Sequence, residues 1–234
     1  MQCPYLVGNY ANADRITVLG RGASLGHIPE IKDEIDNCFF AGNCRSALKK
    51  LRKSISGKKI VRVMNKLDTQ GHKETFERFK IKDIQCNFDG WLDREVPPSR
   101  MIIYDKIKIR NPWAAVHLAP PGIRERRPLD VNGEPMSWIT TGLFTIDLAA
   151  FWQPKQIIIV GIDFYHSDYF SLETHQRDME ASISQNRKQS SKMIENFYAI
   201  VNRDSHIKFT IYTACRKIKP RSNLKVIYAG KSLC

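Results

Sequence analysis

The stretch WITTGLFTIDLAAFWQPKQIIIVGIDFY, Trp138–Tyr165, decides the predicted fold because it holds a helix and a strand in direct succession. Residues 143–151 are mostly apolar and are long enough for about two and a half helical turns. The pair Gln153-Pro154 ends this segment, since proline cannot continue a helix. Residues 157–160 are four β-branched residues in a row and indicate a strand that is covered on both faces.

Polar residues flank this helix–strand unit on both sides. Thr140, Thr141 and Gly142 stand where the helix begins, and free backbone N–H groups there, together with the hydroxyl groups, can bind an anion. Residues 163–166 follow the strand at its carboxyl end, which is where open α/β sheets bind their ligands. Two interpretations of this stretch stay open: a ligand-binding edge, or a buried structural unit with a polar loop.

Strand and helix signals alternate along the rest of the chain. The predicted strands include Arg15–Leu19, Asn37–Gly42, Lys59–Met64, Ile84–Phe88 and Ile207–Thr213, and the further helices include Ile28–Asp36 and Ser191–Val201. This alternation predicts an α/β fold, a single Rossmann-like α/β/α sandwich (a GT-A-like variant) with a mostly parallel sheet. We expect one domain over residues 1–234, in which the polar, poorly periodic residues 166–190 form a lid over a site.

Composition and charge narrow the class of protein. The 234 residues are 42% hydrophobic and 26% charged, which is ordinary for a soluble globular chain. No apolar run approaches the ~20 residues that cross a bilayer, and the first residues lack the apolar core of a secretion signal, so we expect a cytoplasmic location. Six scattered cysteines without a C-x-x-C pair predict reduced thiols. The net charge of +13 implies an anionic partner: a nucleotide, a nucleic acid or an acidic membrane face.

A glycine-rich turn follows the first strand. Its sequence is GRGASLG, Gly20–Gly26, and such a turn lets the backbone approach a phosphate or a sugar closely. Asn43 follows the second strand, where a dinucleotide-binding protein usually has an acidic residue for the ribose, so the pattern is unfavourable for NAD. Asn65 follows the third strand. The first three strands therefore end in small or amide residues at one edge of the predicted sheet.

In their order, these motifs resemble the bacterial sialyltransferases of glycosyltransferase family 42. The resemblance covers roughly residues 16–215 and is strongest at Gly20–Leu25, Asn43, Ile139–Gly142 and Val160–Tyr165. It implies an inverting transferase that needs no metal and no other cofactor. The donor would be CMP-sialic acid or a similar CMP-sugar, and the acceptor a glycan or a glycolipid.

The resemblance also implies roles for individual residues. Gly20, Gly22 and Ser24 would shape the turn under the nucleotide, and Asp163 would order the strand end. Tyr165 and Tyr169 would donate hydroxyl groups to the leaving phosphate, which stabilises the departing CMP anion without a metal. The full set of residues implied at the nucleotide and the donor is Gly20, Arg21, Gly22, Ser24, Asn43, Asn65, Thr140, Thr141, Gly142, Asp163 and His166.

The general base implied by the resemblance is His175. It lies in the sequence H-Q-R-D-M-E, which is similar to the H-x-x-x-x-E element of animal sialyltransferases, whose histidine serves as base. The base of family 42 lies further along the lid, where this chain has Gln185 and no histidine. Two other departures are Arg21, where the family usually has asparagine, and Trp138, where an arginine is common. CMP-Kdo or another CMP-activated acid sugar therefore stays open as the donor.

Plainer interpretations of these residues stay open as well. His175 can be an exposed loop histidine, Asn43 and Asn65 can be caps at strand ends, and Tyr165 and Tyr169 can be packed aromatic residues. The basic segment Arg216–Lys225 is best interpreted as a solvated charged tail. The alternative is a peripheral contact with an anionic membrane at its inner face. The sequence is also compatible with a homo-oligomer.

Two other classes of function fit parts of the pattern. A pterin diphosphokinase-like or methyl-transfer enzyme would share the glycine-serine turn. Methyl transfer favours an acidic residue at the position of Asn43, and a diphosphokinase needs clustered magnesium ligands, of which only Asp163 stands at a strand end. A non-enzymatic nucleic-acid-binding protein would explain the positive charge. The basic residues of this chain are dispersed, and the chain has no recognisable motif for binding nucleic acid, so no nucleic-acid partner is expected.

Overall fold

The structure, a computed structural model, describes residues 14–35, 37–41, 51, 53–54, 59–64, 82–87, 115–117, 126–130, 132–136, 140–167, 170, 184 and 186–229. They form an eight-stranded sheet in which every pair of neighbouring strands is parallel. The strands are β1 (Arg15–Leu19), β2 (Asn37–Ala41), β3 (Lys59–Met64), β4 (Lys82–Asn87), β5 (Ala115–His117), β6 (Gln156–Val160), β7 (Lys208–Thr213) and β8 (Leu224–Tyr228). Their order is β5-β4-β3-β2-β1-β6-β7-β8. The predicted α/β class and parallel sheet are confirmed.

The neighbouring strands β1 and β6, in the interior of the sheet, are buried on both faces, as the run of β-branched residues in β6 predicted. Their side chains alternate between two apolar clusters because successive residues of a strand face opposite sides of the sheet. One cluster includes Ile16, Val18, Ile157 and Ile159, and the other includes Leu19, Ile158 and Val160. The sheet is therefore the middle layer of a sandwich at these strands.

Two α-helices, α1 (Thr141–Phe151) and α2 (Ser190–Arg203), contribute to the first of these clusters. Helix α1 begins where the sequence predicted, because the hydroxyl of Thr140 accepts a hydrogen bond from the N–H of Leu143 at 3.3 Å. It ends at Phe151, and Gln153, two residues later, has a left-handed φ of 52° and precedes a proline. Helix α2 buries an apolar side formed by residues such as Phe197 and exposes its polar side.

A buried network of charges joins the two helices. Asp147 of α1 is fully buried and accepts a hydrogen bond from Arg203 of α2 at 2.6 Å. The same Arg203 nitrogen contacts one oxygen of Asp204 at 2.5 Å, and Arg126 contacts the other oxygen at 2.6 Å. Arg203 also donates to the backbone carbonyl of Arg126. Two arginines and two aspartates thus hold α1, α2 and the segment before α1 together.

Two predictions about secondary structure are wrong, and two strands were not predicted. Residues 28–35 of the predicted helix Ile28–Asp36 form turns and a short 3₁₀ helix, Lys32–Glu34, and Pro29 has no backbone N–H to donate within this segment. Strands β5 and β8 were not predicted, although Val226, Ile227 and Tyr228 give a β-branched and aromatic signal in β8. The segment Arg216–Lys225 is not a tail, since it leads into β8 along the edge of the sheet.

No helix in the part of the chain that the structure describes is long and apolar enough to cross a membrane.

Candidate functional site at the carboxyl ends of β1 and β6

The carboxyl ends of β1 and β6 lie side by side where the strand order reverses. From β1 the sheet extends through β2, β3, β4 and β5 on one side, and through β6, β7 and β8 on the other. The loops that leave β1 and β6 therefore separate at this point, and open parallel sheets bind ligands in the crevice between such loops. This is the edge that the sequence singled out through residues 163–166.

The glycine-rich turn after β1 packs directly against the end of β6. The N–H of Gly20 donates to the carbonyl of Val160 at 2.7 Å, and the N–H of Gly22 donates to the carbonyl of Gly161 at 2.7 Å. A β-carbon at Gly20 would overlap that Gly161 carbonyl, and one at Gly22 would overlap the carboxylate of Asp163. Both glycines are therefore required by the contact between the two loops, a reason that the sequence analysis did not foresee.

Asp163 is the centre of this contact. Its side chain is 4% exposed and accepts four hydrogen bonds from the chain. The donors are the backbone N–H of Ser24 at 3.0 Å, the hydroxyls of Ser24 and Ser167 at 2.7 Å each, and the N–H of Ala214 at 2.8 Å. The Ser24 hydroxyl also accepts from the N–H of Gly161 at 2.9 Å. One carboxylate thus fixes the loops after β1, β6 and β7 relative to one another.

The turn that carries Tyr165 has an unusual backbone. The N–H of His166 donates to the carbonyl of Asp163 at 2.8 Å, and the two central residues, Phe164 and Tyr165, have φ values of 50° and 60°. Two successive left-handed residues are usually glycine or asparagine, and each aromatic residue here costs roughly 1–3 kcal/mol. The buried ring of Phe164 lies 5.5 Å from that of Phe197, and this packing helps to hold the turn. Backbone strain of this kind concentrates at functional sites.

The amino terminus of α1 lies at the same edge. A β-carbon at Gly142 would lie 3.4 Å from the side chain of Ile162, the second residue after β6. Thr140 and Thr141 are half-buried at this helix start. The Thr140 hydroxyl accepts the N–H of Leu143 and so caps the helix, while the positive end of the helix dipole faces this edge.

His166 lies among basic side chains. Its ring nitrogen Nε2 is 2.8 Å from the hydroxyl of Ser190, the first residue of α2. Partial burial lowers the pKa of His166, and the charges of Lys217 and Arg187 lower this pKa further against the opposing charge of Asp163. Arg187 also donates from Nε to the backbone carbonyl of Tyr165 at 2.9 Å. The positive charges around the turn therefore favour the binding of an anion there. They also favour the neutral form of the His166 imidazole.

We predict that His166 titrates below its ordinary value of 6.5 in the folded protein. Because the unfolded chain then takes up the proton at a higher pH than the folded chain, protonation favours unfolding. The stabilising effect of the neutral ring is present above pH 6.5 and is lost as pH falls through the folded pKa. NMR titration of the imidazole measures this pKa, and His166→Gln identifies its signal. A titration midpoint of His166 at or above that of a histidine in a short unfolded peptide would contradict the prediction.

The structure brings ten of the predicted site residues to one edge: Gly20, Arg21, Gly22, Ser24, Thr140, Thr141, Gly142, Asp163, Tyr165 and His166. Ser24 and Asp163 use their polar atoms on the chain itself, so they order the loops and do not offer a free oxygen to a ligand. Asn43, Asn65, Tyr169 and His175 lie outside the described residues. Their roles, and the lid over residues 166–190, stay predictions.

Sequence reasoning missed four residues that meet this site: Ser167, Arg187, Ser190 and Lys217. Ser167 and Ser190 gave no signal, because lone serines in a polar segment match no motif. Lys217 had a usable signal. It lies four residues after the predicted strand ending at Thr213, and therefore near the edge at which the other strands end.

No protein-family model and no curated protein sequence matches the chain. Solved structures do: the chain is similar to the sialyltransferase CST-II from Campylobacter in complex with a trisaccharide acceptor and CMP. The TM-score is 0.52 at 17% identity, over 87% of this chain and 82% of that chain. A variant of CST-II in complex with CMP gives a TM-score of 0.53 with the same identity and coverage.

The monofunctional alpha-2,3-sialyltransferase Cst-I from Campylobacter jejuni gives a TM-score of 0.54 at 18% identity, over 88% of this chain and 77% of that chain. At such identities the likeness establishes a shared fold. The fold expected from the resemblance to bacterial sialyltransferases is therefore confirmed.

Proposed function

We propose that the protein is a sialyltransferase-like glycosyltransferase, which moves a sialic-acid-type sugar from a CMP-activated donor to a glycan acceptor. The observation that supports this most is the fold, shared over 87% of the chain with a sialyltransferase solved with CMP and an acceptor. At the ligand-binding edge of that fold, this chain places a glycine turn, a helix amino terminus and a strained tyrosine turn.

The turn that carries Tyr165 suits the departure of a nucleotide. Transfer leaves CMP as an anion, and donors fixed before the reaction stabilise developing charge best. Tyr165 supplies a hydroxyl on a turn that its own hydrogen bonds hold in place. We assign the leaving phosphate to the side of this turn that faces the glycine-rich turn after β1.

We further propose that transfer inverts the anomeric centre and needs no metal. A single displacement by the acceptor hydroxyl, with His175 as general base, gives inversion. The carboxylate that a diphosphokinase would use for magnesium, Asp163, accepts four hydrogen bonds from the chain and is 4% exposed. Its position supports metal-independent transfer and disfavours the diphosphokinase alternative.

Donor turnover tests the proposed function. CMP release should be fast with CMP-sialic acid or another CMP-activated acid sugar, whereas UDP-sugars should release UDP only slowly. CMP release should persist with EDTA at a concentration that removes divalent metals. Coupled detection of CMP or UDP measures the rates, and NMR of the product reports the anomeric configuration. Absence of CMP release from every CMP-sugar, with a matched glycan acceptor present, would contradict the proposal.

Substitution of His175 tests the assignment of the base. His175→Ala should lower transfer by about 10²–10⁴-fold, the usual contribution of general base catalysis, and should leave CMP affinity nearly unchanged. His206→Ala is the matched control, because His206 is an exposed residue between α2 and β7. Steady-state kinetics and calorimetry with CMP measure the two effects. Unchanged turnover in His175→Ala would remove this residue from the mechanism.

A further inference from the structure

From residue 205 onward, the described chain carries positive charge and no compensating carboxylate. Residues 205–229 contain six basic residues and no aspartate or glutamate. The six are Lys208, Arg216, Lys217, Lys219, Arg221 and Lys225, and all are exposed. A surface of one sign attracts an anionic ligand or partner.

The loop after β7 brings part of this charge to the candidate site. Strand β7 pairs with β6, and the hydroxyl of Thr213 donates to the carbonyl of Ile162 at 3.2 Å. The next residue, Ala214, donates its N–H to the carboxylate of Asp163 at 2.8 Å. Lys217 follows three residues later and acts electrostatically on His166. It therefore lies at the carboxyl edge of the sheet, on the β7 side of the Tyr165 turn.

Hydrogen bonds and ring contacts hold this loop in shape. The hydroxyl of Tyr228 donates to the carbonyl of Ile218 at 2.5 Å, and the hydroxyl of Tyr198 accepts from the N–H of Lys219 at 2.6 Å. The guanidinium of Arg216 lies 4.7 Å from the ring centroid of Tyr228. The backbone on both sides of Lys217 is thus fixed, so its side chain extends from a defined point of the loop.

Arg187 supplies a second cation from another element. Its side chain is exposed, and its Nε donates a hydrogen bond to the backbone carbonyl of Tyr165 at 2.9 Å. Neither Arg187 nor Lys217 forms an ion pair with a carboxylate among the residues that the structure describes. Two exposed cations therefore flank one side of the Tyr165 turn.

We propose that Lys217 and Arg187 bind a negatively charged group of the acceptor, a carboxylate or a phosphate, and that the acceptor is accordingly an acidic glycan. This inference rests on the proposed function. The glycine turn assigned to the donor lies on the β1 side of Asp163, whereas Lys217 follows β7 and Arg187 precedes α2. The sheet order thus separates the donor side from the cationic side, with the Tyr165 turn between them. Charge-assisted hydrogen bonds are stronger than hydrogen bonds between neutral groups.

Two trisaccharides that differ only in one charge test the inference, one neutral and one with a terminal acid sugar. The kcat/KM for the acidic trisaccharide should exceed that for the neutral one by about tenfold or more at low salt, and the ratio should fall as salt rises. Lys217→Gln should lower the ratio by about tenfold, the effect of losing one charge-assisted hydrogen bond. Equal kcat/KM values for the two trisaccharides in the wild type would overturn the inference.

The matched control is Lys208→Gln. Lys208 is exposed and lies at the first residue of β7, so it is on the opposite edge of the sheet and carries the same charge. This variant should keep the wild-type ratio. A fall as large as that of Lys217→Gln would show that net charge matters and position does not, and would overturn the inference.

Binding separates failure of this inference from failure of the proposed function. Calorimetry with the acidic trisaccharide, in the presence of CMP, measures acceptor affinity without turnover. We expect Arg187→Gln and Lys217→Gln to weaken this affinity about tenfold each. Loss of binding to vesicles rich in anionic lipid, with unchanged trisaccharide affinity, would assign the two residues to a membrane contact instead. Absent CMP release with intact trisaccharide binding would contradict the proposed function alone.

Discussion

Replacing Asp163 by alanine should lower the free energy of unfolding by about 3–5 kcal/mol and should abolish binding at the crevice. Two backbone N–H groups, of Ser24 and Ala214, would lose their acceptor, and an unsatisfied buried donor costs about 1–3 kcal/mol. The hydroxyls of Ser24 and Ser167 would also lose the carboxylate that accepts their hydrogen bonds. Because these donors belong to the loops after β1, β6 and β7, the loss would release all three loops at the candidate site. Urea unfolding measures the change in stability.

A graded series makes this prediction specific. Asp163→Asn keeps the volume of the side chain but replaces one accepting oxygen by an NH₂ group that donates. It should lower the free energy of unfolding by more than about 1 kcal/mol, and by less than Asp163→Ala does. The control is Asp130→Asn. Asp130 accepts the N–H groups of Asn132 and Glu134 through one oxygen in an exposed turn, and asparagine can replace that oxygen. If Asp163→Asn and Asp130→Asn had the same free energy of unfolding, this would contradict the central role of Asp163.

Replacing Asp147 by alanine should destabilise the protein by about 3–5 kcal/mol. Asp147 is fully buried in α1, and its removal would leave the charge of Arg203 without one of its two carboxylate partners. Breaking a buried ion pair by removing one partner leaves a charge in a poorly solvated place, and this costs far more than losing a surface pair. Since the network joins α1 to α2, the unfolding transition should move as a whole. Thermal and urea unfolding measure the effect.

A surface ion pair provides the control for Asp147. Lys155 contacts Asp14 at 2.8 Å, and both side chains are mostly exposed, at 83% and 77%. Solvent screens this pair, so Asp14→Ala should leave the unfolding midpoint unchanged within error. The double variant Asp147→Leu with Arg203→Met should be more stable than Asp147→Ala, because it removes the buried charge together with its partner. A change below about 1 kcal/mol for Asp147→Ala would contradict the importance of the network.

Local sequence signals predicted the parts of the fold that local chemistry determines. Thr140 caps α1 and Pro154 follows its end, and both effects act within a few residues. The run Ile157–Val160 indicated burial on both faces, because only a covered strand is apolar at every position. The polar residues after β6 marked the edge at which the loops after β1 and β6 separate, since parallel strands end together.

Contacts between distant residues were beyond such signals. Asp163 and Ser24 are 139 positions apart, so nothing near either residue reveals that each satisfies the other. The backbone of Phe164 and Tyr165 runs against local preference, because aromatic residues seldom adopt a left-handed φ. The glycines at 20 and 22 were predicted at the correct turn for a different reason, since their need for space comes from Gly161 and Asp163. Sequence patterns thus indicated the candidate site, and the structure supplied the contacts between its loops.

A crystal structure of the protein with CMP, at a concentration that calorimetry shows to be saturating, tests the central claim most directly. We expect CMP in the crevice between the carboxyl ends of β1 and β6, with the backbone of residues 20–22 near the nucleotide and the hydroxyl of Tyr165 within hydrogen-bond distance of the phosphate. CMP bound at another surface, or an absence of CMP binding in calorimetry, would contradict the claim that this crevice is a nucleotide site.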